Sequence, residues 1–258
     1  QAQPILDGFS YPDTLTESFY QPIIDSGLRP DVIDAEQDLS SYRLVFSPLM
    51  MTLEDHGLEK RIGDWVTNGG TWIVGPLSDI RNQNGAKYID RYFGLLEELS
   101  GTKWLYGIPD QEGRIETNWK GGSSFSGGKW YDVFEDSAEN TLVFYTKGHS
   151  AIVGKSAVVC RKVGKGHVIL LGTIPSKEDM EKIITIACDL SGIQPVKTTG
   201  SVLSTVRKGE KNGLILIEYG NRPAFCELSS PMKNLLTGET CSGLLRLAPY
   251  EVAVLEEV

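Results

Sequence analysis

Residues 66–82 read VTNGGTWIVGPLSDIRN, and this stretch decides the fold class. Asn68-Gly69-Gly70 is a helix-stop signal, because glycine readily takes the left-handed conformation that ends a helix. Thr71 to Val74 follow as a short apolar strand, and Gly75-Pro76 break it. In an open α/β sheet, ligands bind just past the carboxyl end of such a strand. The loop from Gly75 is therefore the place to look for a nucleophile or a phosphate cradle.

On the N-terminal side, Phe19 to Ser26 reads as a helix ending at Gly27, and Asp31-Val32-Ile33 as a short strand. Tyr42 to Phe46 is a near-continuous apolar run ended by Pro48, which predicts a buried strand. Thr52 and Asp55 resemble a capping box with Asp in place of Glu. Leu58, Ile62, Trp65 and Val66 then fall on one helical face. On the C-terminal side, Ile89, Tyr92, Phe93 and Leu96 mark another amphipathic helix, closed by Ser100-Gly101. Strands alternating with helices predict βαβ units and a mainly parallel sheet. With right-handed crossovers this gives a flavodoxin-like layered α/β sandwich.

Residues 102–150 change texture. The glycine- and serine-rich run 121–128 is loop-like, with Trp104, Tyr106, Trp119, Trp130 and Tyr131 clustered around it. Leu142 to Tyr145 reads as a strand. The runs 157–161 and 167–171 flank Gly164-Lys165-Gly166 and predict a β-hairpin. Ser176 caps a last long helix with Met180, Ile183, Ile184, Ala187 and Leu190 on its apolar face, and Gly192 ends it. Beyond 197–199, strands at Val202–Val206, Leu214–Tyr219, Ala224–Leu228 and Leu244–Leu255 alternate with turn residues, which predicts a small antiparallel β-domain. The expected organisation is a layered α/β domain over 1–197 and a β-domain over 198–258.

The 258 residues suffice for one large domain or two modest ones. A net charge of −9 argues against a nucleic-acid partner, which needs a basic face. No run approaches the ~18 apolar residues of a membrane-spanning helix. No signal peptide is recognisable, and a cytoplasmic setting is favoured over a periplasmic or secreted one. The opening QAQPILDGFSYPDTL has neither an initiator Met nor a clean first strand, as in a mature secreted protein or a piece of a longer chain. Cys160, Cys188, Cys226 and Cys241 form no C-x-x-C pair, so neither structural zinc nor any other metal is expected. Cys160 and Cys188 read as buried thiols. Cys226 and Cys241 are close enough in the C-terminal part to pair, but free core thiols are favoured.

The loop after Val74 fails the tests for chemistry. A nucleophile elbow reads G-x-S-x-G, whereas Gly75-Pro76-Leu77-Ser78-Asp79 has one glycine and a proline. Ser78 needs a histidine, and of His56, His149 and His167 only His149 is a credible partner. A phosphate cradle needs a glycine-rich turn into a helix N-terminus. Gly164-x-Gly166 lies in a hairpin, and Gly121–Gly128 follows no clear strand. The acidic pairs Glu54-Asp55, Glu97-Glu98 and Glu178-Asp179 read as solvated helix charge. No cofactor is expected. The aromatic group reads first as core, then as interface, then as a platform for sugar rings.

The runs Asp38 to Leu49 and Val66 to Thr71 resemble the middle domain of glycoside hydrolase family 42 β-galactosidases, as does Arg161 to Gly166 leading to Gly172-Thr173. Asn234 to Glu239 and Leu247 to Leu255 are similar to the closing β-domain of those enzymes. Their order and spacing carry the resemblance, because class I glutamine amidotransferase-like domains share the Gly-Gly-Thr and Gly-Lys-Gly pieces. It implies a flavodoxin-like, amidotransferase-like three-layer sandwich that builds a homotrimer, followed by a small antiparallel β-domain. It also implies a separate (β/α)8 barrel carrying both catalytic glutamates. A barrel of ~250 residues does not fit here, so no catalytic residue carries over and galactoside is met only through that barrel. The family's first strand of the middle domain is expected to precede Gln1. Trp104, Trp119, Trp130 and Tyr131 are the residues expected at an interface or on a sugar. The alternatives are a carbohydrate-binding module using the same rings, and an amidotransferase-like hydrolase using Ser78.

Overall fold

The computed structural model describes residues 10–54, 56–109 and 113–258. The chain divides into two compact units, one of residues 1–19 and 33–193, the other of residues 20–32 and 194–258.

The first unit opens with helix α1 (Tyr11–Thr14), capped by Ser10, and runs on into a π-helical stretch, Leu15–Tyr20. Within that stretch Phe19 is buried edge-on against Phe46, 5.3 Å between ring centres. The unit's sheet has ten strands: β1 (Leu44–Ser47), β2 (Thr71–Val74), β3 (Lys103–Pro109), β4 (Glu116–Trp119), β5 (Ser124–Phe125), β6 (Gly127–Glu135), β7 (Thr141–Lys147), β8 (Ser156–Val163), β9 (Gly166–Leu171) and β10 (Thr173–Pro175). The order along the sheet is β1-β2-β9-β8-β7-β4-β5, with β6 pairing β3, β8 and β10. β1, β2 and β9 are mutually parallel, and every other pairing is antiparallel. The sheet is therefore mixed, which corrects the expectation of a mainly parallel one.

The parallel core follows from the apolar runs. Trp72, Ile73 and Val74 are all buried, and full burial of each such side chain is worth about 1.5–3 kcal/mol. Trp72 also finds a partner for its indole N–H in Ser47 Oγ, at 3.0 Å. Between β1 and β2, helix α2 of this unit's βαβ crossover spans Leu58–Thr67 and buries Leu58, Ile62 and Val66, as the periodicity predicts. Its start differs from the expected capping box: Asp55 lies outside the described residues, and the helix begins behind Gly57, which takes φ 68°. The Gly164-Lys165 hairpin turn closes on this helix's C-terminus, where Lys165 N–H donates to Thr67 O at 3.0 Å and His167 N–H to Gly70 O at 3.1 Å. A Cβ on Gly166 would lie closer than 3.0 Å to the carbonyl oxygens of Val66 and Gly70, so glycine is what lets strand and helix end meet. The last helix of the unit, α4 (Lys177–Ser191), is capped by Ser176 and ends at Gly192, and buries Met180, Ile183, Ile184 and Ala187. It packs on β1, β2, β9 and β10.

Three further expectations are corrected. The helix expected from Ile89 to Leu96 shrinks to α3 (Leu95–Ser100). Side-chain acceptors hold the preceding residues in an irregular loop: Asp79 Oδ2 takes Leu96 N–H at 2.8 Å, and Glu97 Oε2 takes Tyr92 N–H at 3.1 Å. Ile89 is left in solvent. The run 121–128, expected to be loop, contributes β5 and the start of β6, and β3 and β4 form in the preceding residues. Asp31–Ile33 is not a strand, and Val32 is exposed.

The second unit contains the short helix Gln21–Asp25 and a six-stranded antiparallel sheet. Its strands are β11 (Thr198–Thr199), β12 (Val202–Arg207), β13 (Gly213–Glu218), β14 (Ala224–Asn234), β15 (Thr240–Leu247) and β16 (Val252–Glu257). The order is β11-β14-β16-β13-β12, with β15 on β14. Period-2 alternation puts Leu214, Leu216, Ala224, Cys226, Ala253 and Leu255 inside. Gly27 takes φ 76°, and its carbonyl accepts from Val196 N–H at 3.1 Å. The expected strand Leu244–Leu255 is two strands. Pro249 lacks an N–H and Tyr250 turns to φ 62°, while the buried Glu218 carboxylate accepts Tyr250 N–H at 2.6 Å and Gly220 N–H at 2.7 Å. All four cysteines are free, which closes the disulfide question for Cys226 and Cys241.

Candidate functional site

The carboxyl end of β2 leads into Gly75-Pro76-Leu77-Ser78-Asp79, and Leu77 and Asp79 both take positive φ, 59° and 53°. This folds the loop inward. Ser78 is 3% exposed and Asp79 is fully buried. Ser78 Oγ accepts Met50 N–H at 3.0 Å. His149 instead lies exposed, its Nδ1 accepting Ala151 N–H at 3.1 Å, and no hydrogen bond joins it to Ser78 among the described residues. A buried hydroxyl that already serves a backbone donor, with no base beside it, has no means of activation.

Two carboxylates that sequence reasoning passed over organise this end of the sheet. Asp132, on β6, is 2% exposed. Its Oδ2 accepts Leu77 N–H at 2.7 Å, and its Oδ1 accepts the indole N–H groups of Trp104 at 2.9 Å and Trp130 at 2.6 Å. Burial pushes its pKa up to about 6, against the pull of those three donors. Asp79 takes Leu96 N–H on Oδ2, and its Oδ1 is buried without a hydrogen-bond partner among the described residues. Burial, with the nearby Glu59 and Glu54 charges, pushes it up to about 7, while the Leu96 N–H and Arg91 pull down. Between the elements that carry these acids lies a cavity of about 10 Å³, walled by Gly75, Ser78, Phe93, Asp132 and Leu170 among others. That volume is at the threshold for one water molecule. No sugar ring enters it. The strand-end position of this sheet is thus filled by the protein's own side chains.

A lone acid inside Trp130-Tyr131-Asp132-Val133-Phe134 was the available signal, since an acid in an apolar strand is buried only when paired.

The four aromatic candidates separate. Trp104 and Tyr131 are buried, at 6% and 3% exposure. Trp104 lies under the Lys87 ammonium, 4.9 Å from its ring centre, and the Tyr131 hydroxyl donates to Gly127 O at 3.0 Å. Trp119 and Trp130 are half-buried. Trp119 packs edge-on against Phe125 and donates its indole N–H to Asp179 Oδ1 at 2.8 Å. Burial raises the Asp179 pKa, but Ser126 N–H, Trp119 and Lys182 outweigh that and hold it below the usual range. Trp119, Ser123, Lys182, Thr185 and Ile186 line an open groove of about 330 Å³ between β4 and α4. Among the described residues no group of three or more His, Cys, Asp or Glu side chains is placed to hold a metal, and no helix is long and apolar enough to cross a membrane.

The described residues thus comprise a mixed α/β unit whose strand-end position is plugged by its own acids and indoles, and an antiparallel β unit. The family model for the β-galactosidase trimerisation domain matches residues 1–194, and the chain belongs to that family. Among curated proteins, β-galactosidase YesZ of Bacillus licheniformis is 29% identical over 255 residues, covering 96% of this chain and 38% of that protein. β-Galactosidase YesZ of Bacillus subtilis is 29% identical over 252 residues, covering 94% and 37%. Among solved structures, β-galactosidase from Bacillus circulans sp. alkalophilus matches with a TM-score of 0.88 at 23% identity, over 100% of this chain and 39% of that one. The enzyme from Rahnella sp. R3 gives 0.83 at 19%, over 100% and 38%. The chain thus spans well under half the length of the relatives it matches.

Proposed function

We propose that this chain is the assembly region of a retaining β-galactosidase of glycoside hydrolase family 42. It joins copies of the enzyme into a homotrimer, while a catalytic barrel elsewhere in the protein cleaves terminal β-D-galactosides. The match of the trimerisation-domain model to residues 1–194 carries this reading. The plugged strand end supports it: retaining hydrolysis needs two accessible carboxyl groups about 5–5.5 Å apart, and both Asp79 and Asp132 are out of reach of a sugar. In this reading residues 1–197 are a flavodoxin-like, amidotransferase-like assembly domain around β1, β2 and β9, and residues 198–258 are an appended β-domain. Trp119 and Trp130, as the half-exposed members of the aromatic group, are its interface candidates. A threefold ring needs a heterologous contact, in which one patch meets a different patch on the neighbour. Sedimentation equilibrium tests it: a species of three times the 28.4 kDa chain mass is expected, and a strict monomer at high concentration refutes autonomous assembly.

A further inference from the structure

From Asp79 to Gly94 the chain forms no helix or strand, only an isolated bridge between Arg81 and Lys87. Both ends of this stretch meet at Asp79. Its carbonyl accepts Gly94 N–H at 3.0 Å, and its Oδ2 accepts Leu96 N–H at 2.8 Å. A surface loop of this size with its ends together is an Ω-loop, a type that frequently carries function. Glu54, ahead of α2, holds the middle of the loop. Its carboxylate accepts Gln83 N–H at 3.3 Å and the Tyr88 hydroxyl at 2.9 Å, with Arg91 3.5 Å away. The two anchoring acids differ in their surroundings: the Glu54 side chain is 22% exposed, whereas Asp79 is fully buried.

Asp79 Oδ1 lacks a hydrogen-bond partner among the described residues, yet an acceptor stands near it. A Cβ on Gly94 would lie 2.5 Å from both Asp79 Oδ1 and the Tyr88 hydroxyl oxygen, so at most about 5 Å separates the two oxygens. The Tyr88 hydroxyl spends its proton on Glu54 and keeps a lone pair for a second donor. Burial and the Glu54 carboxylate push its own pKa up, so it stays a neutral phenol. The charges facing Asp79 are Glu59 on α2 and Glu54 ahead of it, both of like sign, and Arg91 of the loop, of opposite sign. An ionised Asp79 is thus poorly compensated, whereas a protonated one turns a donor toward Tyr88. We propose that Asp79 is a proton-operated latch: with a proton on Oδ1 the 79–94 loop stays shut on the Asp79–Tyr88–Glu54 cluster, and the loop opens as that proton passes to solvent. Burial, with Glu59 and Glu54, raises the closed-loop pKa to about 7, and opening returns the carboxyl to its ordinary 3.8. Opening therefore becomes about tenfold easier per pH unit between those values and no easier above them. The loop is tightest in acid and loosest from neutral pH upward.

The test is hydrogen–deuterium exchange of the whole chain, read by mass spectrometry on peptides from 80–94 and from β9. Rates are taken from about pH 5 to about pH 8 and corrected for the intrinsic pH dependence of exchange. The loop is expected to exchange faster than β9 throughout. Its protection is expected to fall about tenfold per pH unit up to about pH 7 and then to level off. Asp79→Asn, which cannot ionise, is expected to abolish that slope. Loop protection that does not change with pH overturns the latch. So does a slope that survives in Asp79→Asn, because another group then drives it. Equal protection of loop and β9 at every pH also overturns it, because the loop then opens only when the whole unit unfolds. If circular dichroism shows Asp79→Asn unfolded, Tyr88→Phe takes its place: it keeps the ring and removes the oxygen that faces Oδ1. It is expected to lower loop protection about tenfold in acid and to leave β9 unchanged, and an unaltered loop overturns the latch.

Discussion

Replacing Asp132 with alanine removes the acceptor for three N–H donors at once, those of Leu77, Trp104 and Trp130. A buried donor left without a partner costs roughly 1–3 kcal/mol. The groups of Leu77 and Trp104 are buried and bear that cost in full, whereas half-buried Trp130 recovers part of it from water. Asp132→Ala is therefore expected to cost about 3–6 kcal/mol at a pH below the folded-state pKa of about 6, where no buried charge complicates the comparison. Above it the parent bears the strain of an ionised buried carboxyl, whose pKa burial raises from the ordinary 3.8 to about 6, so the difference shrinks by up to about 3 kcal/mol. Asp132→Asn keeps one oxygen but turns a donor toward the remaining N–H, so it is expected to cost about 1–3 kcal/mol. Urea unfolding followed by tryptophan fluorescence reads both, since Trp104 and Trp130 report on the site directly. An alanine variant within about 1 kcal/mol of the parent at low pH, or an asparagine variant as damaging as alanine, refutes the account of Asp132 as a shared acceptor.

Asp79, raised from 3.8 to about 7, holds more protons folded than unfolded between those values, so its contribution is fully present below 3.8 and lost as pH rises to about 7. Asp79→Asn is expected to flatten that slope and to gain up to roughly 4 kcal/mol on the parent between acid and mildly alkaline pH; parallel pH–stability curves would sink this. Gly166→Ala forces a methyl group into the Val66 and Gly70 carbonyls and is expected to cost about 3 kcal/mol or more in thermal melts, where an unchanged midpoint contradicts the close approach. Burial holds the Cys160 and Cys226 thiols up at about 11, so an aromatic disulfide reagent is expected to spare both until the chain unfolds. Rapid labelling of either in the native protein, mapped by peptide mass, refutes that.

The legible part of the fold is where local pattern and tertiary demand agree. β2, α2, the β8–β9 hairpin and α4 are short apolar or periodic runs bounded by glycine, and each is buried as its pattern requires, whereas β1 forms before Pro48 as expected but lies at the sheet edge with Leu44, Val45 and Phe46 only half-buried. Strands β3 to β6 were not legible, because strand preference depends on the neighbours a strand finds. Trp104 pairs with Phe134 and Asn118 with Phe144, partners far along the chain. Ile89 and Tyr92 keep a helical period that Glu97 and Asp79 override by capturing the backbone. The site divides the same way. The sequence placed the strand-end loop and showed that it lacks a nucleophile elbow, but the plug of Asp79 and Asp132 depends on which N–H groups face each acid. That is a property of the folded chain alone.

Strand β2 has its parallel partner β9 in residues that follow it by about a hundred positions, with Thr71 opposite His167. At ~5–20 residues per second of synthesis, the Trp72-Ile73-Val74 edge waits on the order of 5–20 seconds on the ribosome before its neighbour exists. During that interval the edge of β2 that will face β9 is unpaired, while its other edge already has β1 as a partner. A delay at this point favours premature aggregation through that edge. Slow codons between residues 75 and 165 would lengthen the hazard, and a chaperone that shields the edge would relieve it.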